Sequence, residues 1–116
     1  MTYENTLPTN VPEKGFYYHY KHNPLGRMNN YAYEVLGVGI HTEEDCRPED
    51  ANMVVYRPLY SIPENPHVKK SFFLRPSEGF FDIVTKGGSS FSRFTKITDA
   101  KVIADLEAIR SEFYSE

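Results

Sequence analysis

A chain of 116 residues, 40% hydrophobic and 15% aromatic, has room for one folded domain and enough apolar side chains for a core, which excludes wholesale disorder. Its net charge of -3 excludes a strongly basic nucleic-acid binder, and the acidity is concentrated in residues 98–116, with residues 13–97 nearly neutral. The single Cys46 excludes an internal disulfide framework and fits a reducing compartment. No apolar run approaches the roughly 18 residues that span a bilayer, and Met1–Glu13 lacks the basic-then-apolar pattern of a secretory signal, so a cytoplasmic, intracellular protein without membrane contact is expected.

Residues 1–14, with Pro8, Pro12 and no periodicity, read as a flexible N-terminal arm. The first strand is expected at Phe16–Lys21, where alternation sets Phe16, Tyr18 and Tyr20 against Tyr17, His19 and Lys21. A loop rich in Asn, Pro and Gly follows at His22–Asn30. Tyr31–His41 is the clearest strand, with Leu36, Val38 and Ile40 sharing one face and two glycines, Gly37 and Gly39, pointing to a bulge, a sharp barrel bend or the close approach of another backbone or ligand. An acidic loop then leads to a third strand at Asn52–Tyr60, with Pro58 marking an edge or an end.

After a Pro-rich loop at Ile62–Lys70, strands are expected at Ser71–Arg75, Gly79–Thr85 and Phe91–Ile97, with Lys86-Gly87-Gly88 as a turn. From Thr98 the period becomes helical. Asp99 is the expected N-cap, and Val102, Leu106, Ile109 and Phe113 form one apolar stripe. The fold class is therefore mainly β: a small antiparallel bent sheet or barrel, SH3-like or OB-like, over residues 15–97. One C-terminal amphipathic helix, residues 98–116, packs on it, at an open barrel end. The expected core is Leu36, Val38, Ile40, Val55, Phe72, Leu74, Phe81 and Ile83.

No metal, nucleotide or other cofactor motif is present, so no cofactor is expected. Cys46 sits in an acidic loop, which disfavours a nucleophilic thiolate. His22 and His67 fall in polar loops and read as solvated, whereas His19 and His41 lie in strands. Arg57 and Arg75 each end an apolar strand just before a proline, so each must pair with a carboxylate or point into a site. Glu34, Glu43 and Glu78 are the carboxylates available for a brace between strands. In the alternative, Arg57, Arg75 and His41 gather at one rim around an anion, with Tyr20 and Tyr56 as aromatic walls and Tyr60 beside them for stacking. His19 and Glu43 complete the candidate ligand-binding set, and no residue is assigned to a metal.

The order of these segments resembles the bacterial and protist family known as domain of unknown function 1653. The likeness runs through Gly15-Phe16-Tyr17-Tyr18-His19-Tyr20-Lys21, Tyr33-Glu34-Val35-Leu36-Gly37-Val38, His41-Thr42-Glu43 and Val54-Val55-Tyr56-Arg57-Pro58-Leu59-Tyr60. It continues through Phe73-Leu74-Arg75-Pro76 and Phe80, and Arg93-Phe94 resembles the end of the family unit. The chain departs from the pattern in its longer loops at 22–30, 43–52 and 61–70, in Phe73 where the family usually has Trp, and in the added helix. The resemblance implies a compact β domain and brings no activity with it.

Three functions fit these residues. The first is a non-catalytic binding module for a small anionic or nucleotide-like ligand, with nucleic acid disfavoured by the near-neutral charge. The second is a hydrolase of a nucleotide-like substrate, with His41 as general base, Glu43 orienting it, and Arg57 and Arg75 holding the developing charge. The third is a protein–protein interaction domain using a strand edge or the acidic helix.

Overall fold

The computed structural model describes residues 11–43, 45–65 and 71–114. Among the described residues seven strands form in chain order: β1 (Gly15–His19), β2 (Ala32–Ile40), β3 (Asn52–Pro58), β4 (Phe73–Pro76), β5 (Ile83–Lys86), β6 (Ser89–Ser92) and β7 (Phe94–Lys96). One helix, α1 (Ala100–Phe113), follows. Five strands pair antiparallel in the order β4-β3-β2-β1-β7, and β5 with β6 makes a separate hairpin. The fold is mainly β, and the bent sheet stays open, with β4 and β7 as its two edges. Among the described residues no helix is long and apolar enough to cross a membrane.

Both faces of this sheet are covered, which explains why the first strand is aromatic at each position from Phe16 to His19. Phe16 joins Ala32, Leu59 and Ile97 under α1, whose Leu106 is fully buried and whose Val102, Ile103 and Ile109 flank it. Tyr17 belongs to the opposite face, with Tyr33, Val35, Val54, Tyr56, Phe80 and Phe94. There the Phe80 and Phe94 rings stack with centroids 4.2 Å apart and planes 9° from parallel, and Tyr17 and Tyr56 meet Phe80 edge-on. The predicted alternation within β1 is therefore observed. The helix seals a sheet face and not a barrel end.

Asp99 caps α1 as expected, its Oδ1 accepting from the backbone N–H groups of Lys101 and Val102 at 2.9 and 3.3 Å. At the other end the Tyr114 hydroxyl donates to the Pro58 carbonyl, which ties the last turn to β3. Between them Glu34 of β2, buried, accepts from two arginines: Arg57 of β3 through Nε at 3.0 Å and Arg110 of α1 through Nη1 at 2.7 Å. The Arg57 guanidinium also lies 3.9 Å from the centre of the Tyr114 ring.

The expected core needs correction. Leu36, Val38, Val55 and Phe81 are only half-buried, while Ile40, Phe72, Leu74 and Ile83 are exposed, Leu74 at 61% and Ile83 at 67%. A bulge between Val35 and Gly37 is the first cause, because Leu36 is the extra residue and the inward set becomes Tyr33, Val35 and Val38. In β4 the inward residue is Phe73, so Phe72 and Leu74 face out. The strand expected from Gly79 starts as a tight helical turn, Ser77–Gly79, which drops Phe80 into the core before β5 begins at Ile83. The strand expected at Phe91–Ile97 is broken at Arg93, and the predicted Gly87-Gly88 turn closes the β5–β6 hairpin with both glycines at positive φ.

Positions 1–10 of the expected arm lie outside the described residues, as does His67. Next to them Pro12 is buried and Glu13 is engaged twice: its carbonyl accepts from the Tyr17 hydroxyl at 2.9 Å, and its carboxylate pairs with Lys96 at 3.1 Å. His22 is not simply solvated. Its ring stacks 3.6 Å from that of Tyr18, and its Nδ1 bonds the Asn30 carbonyl at 2.6 Å.

Leu106→Ala should lower unfolding free energy by about 2–5 kcal/mol, the cost of emptying a fully buried leucine site. Ile83→Ser, at an outward position of the hairpin, should change it by less than about 0.5 kcal/mol. Urea denaturation followed by circular dichroism measures both. Equal losses would contradict the burial pattern.

Candidate functional site

The candidate residues divide into three places. Arg57 lies on the helix face, locked to Glu34. His41, just past β2, is about ten residues along the chain from Tyr31, roughly 30 Å in extended strand, at the end of the sheet remote from His19. Its Nδ1 accepts the Glu43 backbone N–H at 3.1 Å, and the Glu43 carboxylate makes no hydrogen bond or ion pair among the described residues. The third place is the sheet face opposite α1, where His19, Tyr20 and Arg75 come together.

Register explains why the two arginines separate. Arg57 pairs with Glu34 across β3 and β2, and both side chains point to the helix. Arg75 pairs with Val54, one of the buried residues of the opposite face. The sheet bends so far that Arg75, on one edge strand, holds its guanidinium 5.9 Å from the ring of Phe94 on the other edge strand. Tyr56 is a core ring beneath this surface, edge-on to Phe73 and Phe94.

Around His19 the surface is almost entirely aromatic. Its ring lies 4.4 Å from Tyr20, 5.1 Å from Phe94 and 5.8 Å from Tyr31. Tyr31 holds a positive φ of 52°, an uncommon conformation for a bulky residue, and its carbonyl accepts the His19 backbone N–H at 3.0 Å. Tyr33 and Tyr60 share a hydrogen bond between their hydroxyls, and burial first, then that bond, pushes the Tyr33 phenol well above its ordinary range. These groups stay neutral and can only donate, accept or stack.

The charge on this surface is one-sided. Burial pushes the His19 imidazole down to about 4, helped by the positive charges of Lys21, Arg75 and Arg93. Its Nδ1 accepts the Lys21 backbone N–H at 3.2 Å, which leaves the ring proton on Nε2. The Nε atoms of Arg75 and of Arg93 are buried with no hydrogen-bond partner, and neither arginine forms an ion pair among the described residues. Two guanidiniums without an ion pair among the described residues, that of Arg75 beside the Phe94 ring, form a surface suited to an anion.

Sequence reasoning misses Arg93, Tyr31, Tyr33 and Phe91. Arg93 carries the signal that singled out Arg57 and Arg75, a lone base between apolar residues in Phe91–Phe94, and the same argument applied there would have found it. A cavity of about 600 Å³ lies elsewhere, between α1 and the β1–β2 pair, lined by Phe16, Glu34, Leu36, Ile103 and Arg110. Its Glu34 and Arg110 pair at 2.7 Å, and Lys14, Lys96 and Glu107 also line it. Among the described residues no cluster of three or more His, Cys, Asp or Glu side chains could hold a metal.

With this geometry in view, the comparisons with known proteins give one family. The sequence pattern of the family described as protein of unknown function (DUF1653) matches residues 15–96, and the chain belongs to that family. No curated protein and no solved structure matches the chain. The matched span takes in β1 to β7 and ends before α1.

The His19 environment sets a pH dependence. The folded-state value near 4 lies below the ordinary 6.5, so the unfolded chain takes up this proton first. His19 therefore subtracts stability as pH falls from about 6.5 to about 4, and contributes no pH dependence above that window. His19→Gln should flatten this part of a stability-against-pH curve. An imidazole titrating at 6 or above by NMR would contradict the cationic surroundings.

Proposed function

We propose that this DUF1653 member is a non-catalytic binding module for a small anionic, nucleotide-like ligand, held on the sheet face opposite α1. The observation that supports the reading most is the pair Arg75 and Arg93, each with a buried, unpartnered Nε beside the neutral imidazole of His19. The two Nε atoms are themselves closed to solvent, so an anion would be met by the outer Nη groups of the two guanidiniums. The aromatic layer of His19, Tyr20, Tyr31 and Phe94 supplies a flat apolar wall next to the charge.

A hydrolase built on His41, Glu43, Arg57 and Arg75 needs these groups around one substrate. The geometry instead spreads them over two faces and a remote sheet end. The interaction-domain reading draws on one observation, the exposed Phe72 and Leu74 at edge strand β4, 56% and 61% accessible.

A thermal-shift screen of the intact chain against phosphate, sugar phosphates, nucleobases and nucleotides tests the proposal. An anionic ligand should raise the melting temperature, with a shift that shrinks as salt is added. Arg75→Met and Arg93→Met should each abolish the shift and leave the fold intact, because each removes a buried unmet donor. Arg57→Met should keep the shift but cost about 1.5–3 kcal/mol of stability, through the lost charged hydrogen bonds to Glu34. A screen in which no anion moves the melting temperature would overturn the proposal.

A further inference from the structure

The cavity of about 600 Å³ between α1 and the β1–β2 pair falls within the roughly 300–1,000 Å³ of small-molecule sites. Phe16, Leu36, Ile97 and Ile103 give it apolar walls. Leu36, the extra residue of the β2 bulge, packs in neither core cluster, so the bulge presents an apolar side chain to the cavity and to no core. Ile103, Glu107 and Arg110 of α1 supply the facing wall, and all three lie beyond the residues 15–96 that the family pattern matches. The helix is what turns this sheet face into a cavity.

Charge is unevenly divided around it. On the helix side Arg57 and Arg110 stand against Glu34 and Glu107, with Arg110 at 2.7 Å from the first carboxylate and 3.9 Å from the second. That side is balanced. On the sheet side Lys96 pairs with Glu13 at 3.1 Å, an exposed contact of the kind that contributes little. Lys14 forms no ion pair among the described residues. A Cβ at Gly15 would stand 3.4 Å from Cε of Lys96, and one at Gly37 would stand 4.0 Å from Cε of Lys14. The two lysine stems therefore run past bare glycines of β1 and β2, and the sheet side of the cavity carries an unmatched positive charge.

We propose that this cavity is a second binding site, for a small amphipathic carboxylate whose aliphatic chain lies between Leu36, Ile97 and Ile103 and whose carboxylate lies on Lys14 and Lys96. It is independent of the arginine surface on the opposite face. Burial of the chain supplies most of the affinity, and the lysines set the sign of the head group. A lysine ammonium is a mobile point charge and not a rigid fork, so the site selects for charge and chain and little for head-group shape.

Isothermal titration of the intact chain with octanoate, acetate and octan-1-ol separates chain from charge. Octanoate should bind at least about a hundredfold more tightly than acetate, through the methylenes that leave water. Lys14→Met, at an exposed position, should weaken octanoate about three- to tenfold and leave octan-1-ol unchanged. Leu36→Trp should fill the space and abolish binding of both, whereas Arg75→Met, on the other face, should change neither. Amide NMR signals of Gly15, Leu36 and Ile103 should move as octanoate is added. Octanoate binding no tighter than acetate, or shifts confined to the segments around Arg75 and Arg93, would overturn the proposal. Octanoate affinity unchanged in Lys14→Met would overturn the assignment of the carboxylate to the lysines.

Discussion

A single carboxylate ties the domain to its added helix. Glu34 is buried in the middle of the sheet, and a buried carboxylate is tolerable only if its lone pairs are met. Arg57 from the neighbouring strand and Arg110 from α1 meet them, so the helix cannot leave without stranding a charge. The Arg57 guanidinium then serves as a floor for Tyr114, whose hydroxyl reaches the Pro58 carbonyl. Helix position, the register of β2 against β3 and the end of the helix are thereby fixed together. The apolar contacts of Leu106 supply most of the burial, and the Glu34 group supplies the uniqueness of the arrangement.

This tie also governs what the opposite face can do. α1 covers one side of the sheet and consumes Arg57 and Arg110, whereas Arg75 and Arg93 form no ion pair among the described residues. The alternation of a strand assigns these roles. Arg57 and Arg75 have the same local sequence character, an arginine before a proline after apolar residues, yet they belong to opposite faces. A neutral histidine, phenols held neutral and paired with each other, and two guanidiniums share that surface.

How far the sequence could be read follows from the same alternation. Strand existence, the helix, its Asp99 cap, the bulge and the Gly87-Gly88 turn were legible because each depends on local pattern or local backbone preference. Inward and outward faces were not. A sheet covered on both sides is apolar at consecutive positions, so Phe72-Phe73-Leu74 offers no contrast from which to choose. The extra residue at Leu36 also shifts phase in mid-strand. For the site, His19, Tyr20 and Arg75 could be picked out by residue type and strand position. The separation of Arg57 and His41 from them depended on face and strand end, which only the assembled sheet defines.

The open sheet has a consequence for motion. Its two edges, β4 and β7, are not hydrogen-bonded to each other, and Arg75 spans the gap by resting over Phe94. Arg93, at the start of β7, places a second positive charge near the same gap, and like charges across an unbonded joint push its sides apart. Amide hydrogens along this joint should therefore exchange with solvent through small local openings well before the centre of the sheet does. An anion lodged between the arginines would turn that repulsion into attraction from both sides. The joint would then behave as a latch: loose when empty, and fastened by the molecule it holds.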